Sequence, residues 1–202
     1  MSSFVANPSY GLVLLAAGGS TRMGRPKQLL EIGEKTLLRH VAEIALAAPV
    51  SPVVIVLGAN AAEIKPFLAG LAAHVVVNEN WRDGMASSLR VGIETLTSLA
   101  PKIGGAILVL GDQPDLSVAH LFKLIEVHQR AGRSIVATQI GGTLMPPALF
   151  AARYFPELIS LRGDAGARTL FQAHAAEVAA VPAEALPDLD TPEDYQAYLR
   201  GS

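Results

Sequence analysis

Cysteine is absent from this 202-residue sequence. Without it the protein has no thiolate nucleophile, no thiolate ligands for zinc or an iron–sulfur cluster, and no disulfide bond. Any chemistry that the chain performs must therefore use oxygen and nitrogen groups.

Long hydrophobic runs and an excess of positive charge are also missing. The longest purely apolar stretch, Leu12 to Ala17, is far shorter than the ~20 residues that a membrane-spanning helix needs. The first positive side chain, Arg22, follows this stretch, so the N-terminus lacks the basic segment of a secretory signal. The formal net charge of −2 gives no basic surface for nucleic acid. We therefore expect a cytoplasmic protein that binds neither a membrane nor nucleic acid.

Apolar residues, by contrast, are abundant: they make up 50% of the sequence, whereas charged residues make up 17%. A chain of this length and composition can bury one large core, and no stretch rich in Gly, Ser or Pro marks a domain boundary. We expect a single domain over residues 1–202, with an ordered core at about 10–199.

Short apolar runs alternate with longer amphipathic segments, which is typical of βαβ units around a mostly parallel sheet. The uniformly apolar runs fit strands that are buried on both faces. Residues 140–147 contain two glycines and two prolines that break this alternation, so they predict a loop or a hairpin insertion. The five predicted strands are Gly11–Leu15, Val53–Leu57, Val75–Val77, Ala106–Leu110 and Ile135–Thr138.

Apolar residues spaced three and four positions apart predict helices whose apolar stripes face the core. Two more helices are predicted at about 85–96 and 165–175. Residues 191–194, Thr-Pro-Glu-Asp, combine an N-cap, a proline at the first helical position and an acidic third residue, which predicts a last helix ending at about Leu199. The two clearest stripes are Leu37, Val41, Ile44 and Ala48, and Val118, Leu121, Phe122 and Ile125.

A glycine-rich, basic segment follows the first predicted strand. Residues 15–27 read Leu-Ala-Ala-Gly-Gly-Ser-Thr-Arg-Met-Gly-Arg-Pro-Lys. Glycines let backbone N–H groups approach a phosphate closely, and Arg22, Arg25 and Lys27 supply the positive charge that a triphosphate needs. Arg25 and Pro26 stand where a Walker A loop needs Lys and then Ser or Thr, and the glycine spacing does not fit the dinucleotide fingerprint. The segment predicts a phosphate cradle, and a tight turn with a solvated basic rim is the alternative.

This loop resembles the signature of the MobA-like nucleotidyltransferases, L-A-A-G-x-S-x-R-M-G-x-x-K. Four further segments match the family in order, so the resemblance covers the chain from Leu12 to about Leu199. It implies a Rossmann-like three-layer α/β/α nucleotidyltransferase fold with a mostly parallel sheet. The four segments are residues 78–89, 111–114, 163–168 and 188–194.

The Leu-Ala-Ala-Gly form of the loop resembles the molybdenum cofactor cytidylyltransferase branch, whereas the guanylyl branch more often has Leu-Ala-Gly-Gly. The methyl group of Ala17 is expected to leave less room for a purine. The resemblance implies CTP as the donor, the molybdenum-bearing pterin phosphate as the acceptor, and a molybdoenzyme or its chaperone as the recipient. Residues 142–150 resemble the acceptor-facing insertion of the family but lack the Gly-His-Pro of many cytidylyltransferases. The alternatives are a guanylyltransferase, a sugar- or alcohol-phosphate nucleotidyltransferase, and a non-catalytic nucleotide- or cofactor-binding chaperone.

Asp112 follows the predicted strand Ala106–Leu110, which places its carboxylate at the edge of the sheet where open α/β folds bind ligands. Mg²⁺ takes oxygen ligands and typically uses one or two carboxylates together with substrate phosphates. The resemblance implies Asp190 as the second metal ligand. Asp188 is the second candidate for this position, because in an extended segment its side chain would point to the same side as that of Asp190. A turn aspartate at position 112 and a capping residue at position 190 are the alternatives.

Two other matching segments predict contacts with the substrates. A helix opens at Gly84, so its N–H groups and the hydroxyls of Ser87 and Ser88 could bind the ribose or the base, with ordinary helix initiation as the alternative. Gly163 and Arg168 could bind the acceptor phosphate, with a turn and a surface arginine as the alternative. Trp81 is predicted to pack rather than to stack on a base.

The predicted reaction is in-line attack of an acceptor phosphate oxygen on the α-phosphorus of an NTP, with release of pyrophosphate. Arg22, Lys27 and Asp112 are the predicted catalytic residues. The two cations neutralise charge on the α-phosphate and pyrophosphate, and Asp112 holds Mg²⁺ together with Asp190. The predicted nucleotide-binding residues are Leu15, Ala16, Ala17, Gly18, Gly19, Ser20, Thr21, Arg22, Met23, Gly24, Lys27, Gly84, Ser87, Ser88 and Asp112.

Overall fold

The computed structural model describes residues 9–201, so residues 1–8 and 202 of the predicted domain lie outside the described part. The strands are β1 (Tyr10–Ala16), β2 (Glu31–Ile32), β3 (Lys35–Thr36), β4 (Val53–Leu57), β5 (His74–Val77), β6 (Gly105–Leu110), β7 (Ile135–Ile140), β8 (Thr143–Ala151) and β9 (Val178–Pro182). The α-helices are α1 (Leu37–Ala47), α2 (Ala61–Ile64), α3 (Met85–Leu99), α4 (Val118–Ala131), α5 (Phe155–Ser160), α6 (Ala167–Ala173) and α7 (Pro192–Gly201).

A seven-stranded sheet in the order β5-β4-β1-β6-β8-β7-β9 organises the described residues, and β2 pairs with β3 in a separate hairpin. Within the large sheet, β8 runs antiparallel to both of its neighbours, and the other paired strands are parallel. The prediction of a mostly parallel sheet is therefore confirmed. Since β4, β1 and β6 are adjacent and parallel, their carboxyl ends meet at one edge.

Side chains of β1 alternate between the two faces of the sheet, and helices cover each face. Leu12 and Leu14 join a buried cluster with residues of α1 and α4, whereas Val13 joins a second cluster with Leu89 and Ile93 of α3. This arrangement confirms the predicted three-layer α/β/α architecture. In the described part of the chain, every helix is too short or too polar to cross a bilayer.

The predicted elements are present with small shifts at their ends. Each of the five predicted strands ends within two residues of its predicted bounds, and the helices predicted at 85–96 and 165–175 span Met85–Leu99 and Ala167–Ala173. The prediction that Phe122 faces the core is wrong, because this side chain is 54% exposed. The buried face of α4 carries Leu121, Leu124 and Ile125. At about 100° of rotation per residue, Phe122 lies about a quarter turn away from it.

Residues 140–147, predicted as a loop or a hairpin insertion, lie in the hairpin of β7 and β8. The second strand, β8, is an interior strand of the main sheet and not an insertion. After the turn at Gly141 and Gly142, β8 returns between β6 and β7 inside the sheet. Prolines disfavour a central strand because they cannot donate to the ladder. The register shifts there: Ala137 pairs with Ala148, whereas the next residue, Thr138, pairs with Met145. This bulge leaves both prolines out of the ladder, which explains how the strand tolerates them.

His120 connects α4 to this bulge. Its Nε2 lies 2.7 Å from Thr138 Oγ1, and the Thr138 hydroxyl donates to the Pro147 carbonyl oxygen at 2.7 Å. Since the Thr138 hydroxyl donates its proton to the Pro147 carbonyl oxygen, Nε2 of His120 must donate to Thr138 Oγ1. Burial lowers the pKa of His120 below its ordinary value. The folded protein therefore favours the neutral imidazole.

This burial makes a pH-dependent contribution to stability. The contribution of His120 should be complete above the unfolded-state pKa of about 6.5 and should be lost as the pH falls toward the lower folded-state pKa. His120→Gln keeps a donor for Thr138 but does not titrate. Urea unfolding at about pH 7.5 and about pH 5 should show a smaller loss of unfolding free energy for His120→Gln than for the wild type. Equal losses would contradict the prediction, since the other titrating groups are common to both proteins.

Candidate functional site

The carboxyl ends of β1 and β6 open into a cavity of about 590 Å³. Its wall is formed by the loop after β1, the start of α3, the end of β6 and Asp164 from the segment before α6. The cavity thus lies at the edge of the sheet where the sequence predicts a ligand site. Nine of the predicted nucleotide-binding residues line it: Leu15, Ala16, Ala17, Gly18, Gly19, Lys27, Gly84, Ser88 and Asp112.

The remaining predicted nucleotide-binding residues lie outside this wall. Met23 is 6% exposed and belongs to the core cluster of Leu12 and Leu14, so its side chain serves the core. Arg22 does not line the cavity, but it forms an ion pair with Asp190 beside it. The full set outside the wall is Ser20, Thr21, Arg22, Met23, Gly24 and Ser87.

The loop after β1 turns its carbonyl groups into the protein. Ser20 has a φ of 52°, in the left-handed region that favours glycine. Among residues 9–201, no hydrogen bond uses the backbone N–H groups of residues 18–21. Successive N–H groups without a partner can bind an anion. Whether residues 18–21 form a phosphate cradle stays a prediction. The carbonyl oxygens of Leu15 and Ala17 accept from the N–H groups of Gly111 (2.9 Å) and Ala59 (3.0 Å), and those of Ala16 and Gly18 accept from Gln28 Nε2 at 2.9 and 3.1 Å.

Lys27 joins two carboxylates at the cavity. Its Nζ donates to Asp112 Oδ2 at 2.5 Å and to Asp190 Oδ1 at 2.7 Å. Arg22 Nη2 donates to Asp190 Oδ2 at 2.7 Å. The side chains of Lys27 and Asp112 are 17% and 14% exposed, whereas that of Arg22 is 70% exposed. The three predicted catalytic residues and both predicted metal ligands therefore meet in one charged cluster.

The N-terminus of α7 holds Asp190 in place. Thr191 Oγ1 accepts the Asp194 N–H at 3.2 Å, and Asp194 Oδ2 accepts the N–H groups of Thr191 and Asp190 at 2.8 and 3.2 Å. This reciprocal pair is a capping box. The Leu189 N–H donates to the Asp112 carbonyl oxygen at 3.0 Å. The backbone thus links the two segments that carry the carboxylates.

Charge pairing sets the protonation states within the cluster. Burial would lower the pKa of Lys27, but the charge and hydrogen bond of Asp112, followed by those of Asp190, raise it above its ordinary value. Burial also opposes ionisation of Asp190, yet Lys27 and then Arg22 hold the pKa of that carboxyl below its usual range. Lys27 is therefore an ammonium, and Asp190 a carboxylate, at neutral pH.

Asp188 lies beside the cluster without joining it. Its Oδ1 accepts a hydrogen bond from Gln113 Nε2 at 3.0 Å, and the residue does not line the main cavity. Burial, followed by the negative charge of Asp112, raises the pKa of Asp188 to about 6. Lys27 donates to Asp112 and Asp190 and not to Asp188. The ranking of Asp190 and Asp188 as metal ligands stays a prediction.

The carboxylate pair suits a cation that prefers oxygen ligands. Asp112 Oδ1 is buried and has no hydrogen-bond partner among the described residues, so it remains available as an acceptor. One or two carboxylates are what Mg²⁺ typically takes from a protein when phosphates and water complete its coordination. Within residues 9–201, no group of three or more His, Asp or Glu side chains is placed to hold a metal. Phosphate oxygens would therefore have to supply further ligands.

Asn78 organises the predicted nucleoside-recognition loop. Its Nδ2 donates to Ser87 Oγ at 2.8 Å and to Ser88 Oγ at 2.9 Å, and its Oδ1 accepts the Asn80 N–H at 3.0 Å. Ser87 Oγ also lies 2.8 Å from the Gly84 carbonyl oxygen. Ser87 therefore braces the loop, whereas Ser88 lines the cavity. Asn78, at 2% exposed, is a site residue that the sequence did not single out.

The segment before α6 packs against the start of α3. Gly84 has a φ of 95°, and a Cβ there would lie 2.3 Å from the carbonyl carbon and oxygen of Gly163, so only glycine fits. The Gly163 carbonyl oxygen accepts the Ala86 N–H at 3.0 Å. Asp164 lines the cavity, whereas Gly163 and the exposed Arg168 do not. Their contact with an acceptor stays a prediction.

Trp81 packs against the core cluster on the α3 side, as predicted, and it also lines the cavity. The guanidinium carbon of Arg82 lies 4.3 Å from the centroid of the Trp81 ring system. Seven wall residues are not among the predicted nucleotide-binding residues: Gln28, Trp81, Arg82, Met85, Leu110, Gly111 and Asp164. Gln28 and Leu110 lie outside the family-matching segments, and the other five lie within them.

Comparison with known proteins places this geometry in a family context. A family model described as the MobA-like NTP transferase domain matches residues 12–178. The chain is 30% identical over 201 residues to the purine catabolism protein PucB of Bacillus subtilis, covering 93% of this chain and 95% of that protein. It is 36% identical over 175 residues to nicotine blue oxidoreductase of Paenarthrobacter nicotinovorans, covering 79% and 80% respectively.

Solved structures of Rv0371c from Mycobacterium tuberculosis H37Rv are similar along nearly the whole chain. One has a TM-score of 0.85 at 32% identity and covers 97% of this chain and 100% of that one. A structure of Rv0371c in complex with manganese has a TM-score of 0.81 at 29% identity and covers 96% of this chain and 100% of that one. The likeness therefore extends over nearly the whole length of both chains.

Proposed function

This chain belongs to the MobA-like NTP transferase family and is a nucleotidyltransferase, and from that premise we propose that it transfers CMP from CTP to the phosphate of the molybdenum-bearing pterin cofactor. Pyrophosphate is the second product. The first product is a cytosine dinucleotide form of the cofactor, which a molybdoenzyme or its chaperone then receives.

One observation carries the chemical part of this proposal: Lys27, Asp112 and Asp190 converge beside a loop whose backbone N–H groups are unused. Phosphoryl and nucleotidyl transfer depend mainly on positioning and charge stabilisation, and no side-chain nucleophile is required. A cradle of N–H donors, two cations and two carboxylates supplies these needs in one place.

We assign Asp112 and Asp190 as the protein ligands of Mg²⁺. The free acceptor at Asp112 Oδ1 supports this assignment, as does the manganese complex of the similar Rv0371c. Bound there, the ion would neutralise phosphate charge and help to orient the α-phosphate.

Residues of the chain itself bind the triphosphate and stabilise the charge that develops during transfer. The N–H groups of residues 18–21 bind the triphosphate. Lys27 holds Asp112 Oδ2 and Asp190 Oδ1, and Arg22 holds Asp190 Oδ2. A metal ion bound by these carboxylates would repel the Lys27 ammonium and displace it from them. The released ammonium lies within reach of the phosphates, where it neutralises charge that develops during transfer.

Rival functions differ in their products. A guanylyltransferase would incorporate GMP, a sugar- or alcohol-phosphate nucleotidyltransferase would release pyrophosphate without the pterin, and a binding chaperone would release none. The name of the relative nicotine blue oxidoreductase points to a redox activity in that protein. In this chain the first loop does not fit the dinucleotide fingerprint, and hydride transfer has no need of the Lys27 and Asp112 pair.

We expect the enzyme to prefer CTP over GTP. Ala17 supplies only part of this preference, because the residue is 6% exposed and packs in the core cluster of Val13 and Val56. One methyl group in a pocket discriminates by only ~1 to 3 kcal/mol. Contacts from residues 84–88 must add to it. The measurement is a competition between equimolar CTP and GTP with the pterin cofactor as acceptor, scored by which dinucleotide accumulates.

Predominance of the cytosine dinucleotide is the expected result of this competition. Equal incorporation, or a guanine product, would refute the cytidylyl assignment and leave the nucleotidyltransferase family unaffected. Pyrophosphate release that does not require the pterin would instead refute the assignment of the pterin cofactor as the acceptor.

A further inference from the structure

Gln28 lies directly beneath the loop that follows β1. It is 2% exposed, in a short helical turn at Lys27–Leu29. Its Nε2 donates to the carbonyl oxygens of Ala16 at 2.9 Å and Gly18 at 3.1 Å. Its Oε1 lies 3.3 Å from Ser20 Oγ, which in turn accepts the Lys27 N–H at 3.0 Å. One side chain therefore holds three points of the loop.

The orientation of this amide follows from its partners. Carbonyl oxygens only accept hydrogen bonds, so the amide nitrogen must face Ala16 and Gly18, and both of its N–H groups are used. The Ser20 hydroxyl donates its proton to Gln28 Oε1 and has a lone pair left for the Lys27 N–H. Every polar atom of the Gln28 side chain thus has a partner within the loop or its end.

This network determines which way the peptide groups of the loop face. With their carbonyls drawn toward Gln28, the peptides of Ala16 and Gly18 cannot present carbonyl oxygens to the cavity. The N–H groups of residues 18–21 remain unused, and Ser20 keeps its left-handed φ of 52°. A carbonyl oxygen turned into the cavity would repel a phosphate, whereas an N–H group attracts it.

We propose that Gln28 is the positioning residue of the phosphate cradle: it holds the loop in the conformation that binds the triphosphate, without touching the nucleotide base. This inference rests on NTP binding by the family site and is independent of which base or acceptor the enzyme uses. The short helical turn at Lys27–Leu29 therefore has two roles, because it carries both the Lys27 ammonium and, on the next residue, the Gln28 amide that holds the loop.

Replacement of Gln28 by Met tests the proposal, since Met has a similar length but no hydrogen-bond donor. We expect the Kd for CTP to rise about tenfold or more. The Kd values for GTP and for inorganic tripolyphosphate should rise by the same factor, because the cradle contacts phosphates and not the base. Trp81, the one tryptophan of the sequence, lines the cavity, so its fluorescence reports binding. Equilibrium dialysis of labelled CTP provides a second measure.

Thr138→Val is the matched control. Thr138 is also buried and also donates to a backbone carbonyl, at 2.7 Å from Pro147 O, but it lies outside the cavity. Its removal should lower the melting temperature without changing the Kd for any of the three ligands. If Gln28→Met does not fold, Gln28→Asn keeps the amide without adding charge but is one methylene too short to hold all three points of the loop, and it should show a loss in the same direction for all three ligands.

A merely structural role for Gln28 predicts a lower melting temperature with unchanged Kd values in the folded variant, and that result would overturn the proposal. A loss confined to CTP would also overturn it, because it would place Gln28 at the base. A wild-type protein that binds none of the three ligands would refute NTP binding itself, and the inference with it.

Discussion

Asp112→Asn should abolish transfer, lowering kcat by about 10³-fold or more, while the protein stays folded. Asparagine keeps the shape of the side chain but removes the negative charge that Lys27 and a divalent cation need. The fold should tolerate the change, because the Asp112 side chain is partly exposed and one of its oxygens has no partner among the described residues. The backbone bond from Leu189 to the Asp112 carbonyl is unaffected. Pyrophosphate release measures activity, and circular dichroism with a melting curve measures folding.

Asp115→Asn is the matched control, since Asp115 is an exposed carboxylate in the same segment that does not line the main cavity. It should retain the wild-type rate. Isothermal titration with Mn²⁺ in the presence of nucleotide should show weaker binding for Asp112→Asn and unchanged binding for Asp115→Asn. Wild-type turnover in a folded Asp112→Asn protein would remove the metal assignment.

Lys27→Met should have opposite effects on catalysis and on metal binding. Met keeps most of the apolar stem but loses the ammonium, so kcat should fall by about 10²-fold or more through loss of charge stabilisation in the transition state. The same ammonium holds Asp112 Oδ2 and Asp190 Oδ1 in the nucleotide-free protein. Without it the two carboxylates lack their counter-charge, so the affinity of the nucleotide-free protein for Mn²⁺ should rise.

Lys35→Met serves as the control, because Lys35 forms an exposed ion pair with Glu43 away from the cavity. It should change neither kcat nor Mn²⁺ affinity. An unchanged kcat in Lys27→Met would reduce Lys27 to a charge at the rim of the cavity. An unchanged Mn²⁺ affinity would show that Lys27 and the metal do not compete for the same oxygens.

The parts of the site that could be predicted from the sequence are those that local rules determine. Asp112 lies two residues after the end of an apolar strand, so its place at the sheet edge follows from the strand. The role of Asp190 is implied by the family resemblance, and only its place before a capping sequence follows from a local rule, since the capping box fixes that segment. Glycines and cations after β1 indicate a phosphate cradle because few other structures need both.

The parts that could not be predicted depend on long-range packing. Gln28 acts through carbonyl groups 10 and 12 residues away, and nothing in its own neighbourhood distinguishes it from a surface glutamine. The prolines of β8 argue against a central strand, and only the register shift opposite Thr138 reconciles them with one. Asp164 reaches the wall because Gly84 and Gly163 touch, a contact between segments far apart in sequence.

Transfer of CMP to the pterin cofactor is measured directly by following the α-phosphorus of the NTP. The protein is incubated with the pterin cofactor, Mg²⁺ and each of the four NTPs in turn, labelled at the α-phosphorus. With CTP, we expect label in a pterin dinucleotide, an equal amount of released pyrophosphate, and loss of both in Asp112→Asn. Nucleotide binding without pyrophosphate release, or release that leaves the pterin unlabelled, would contradict this expectation.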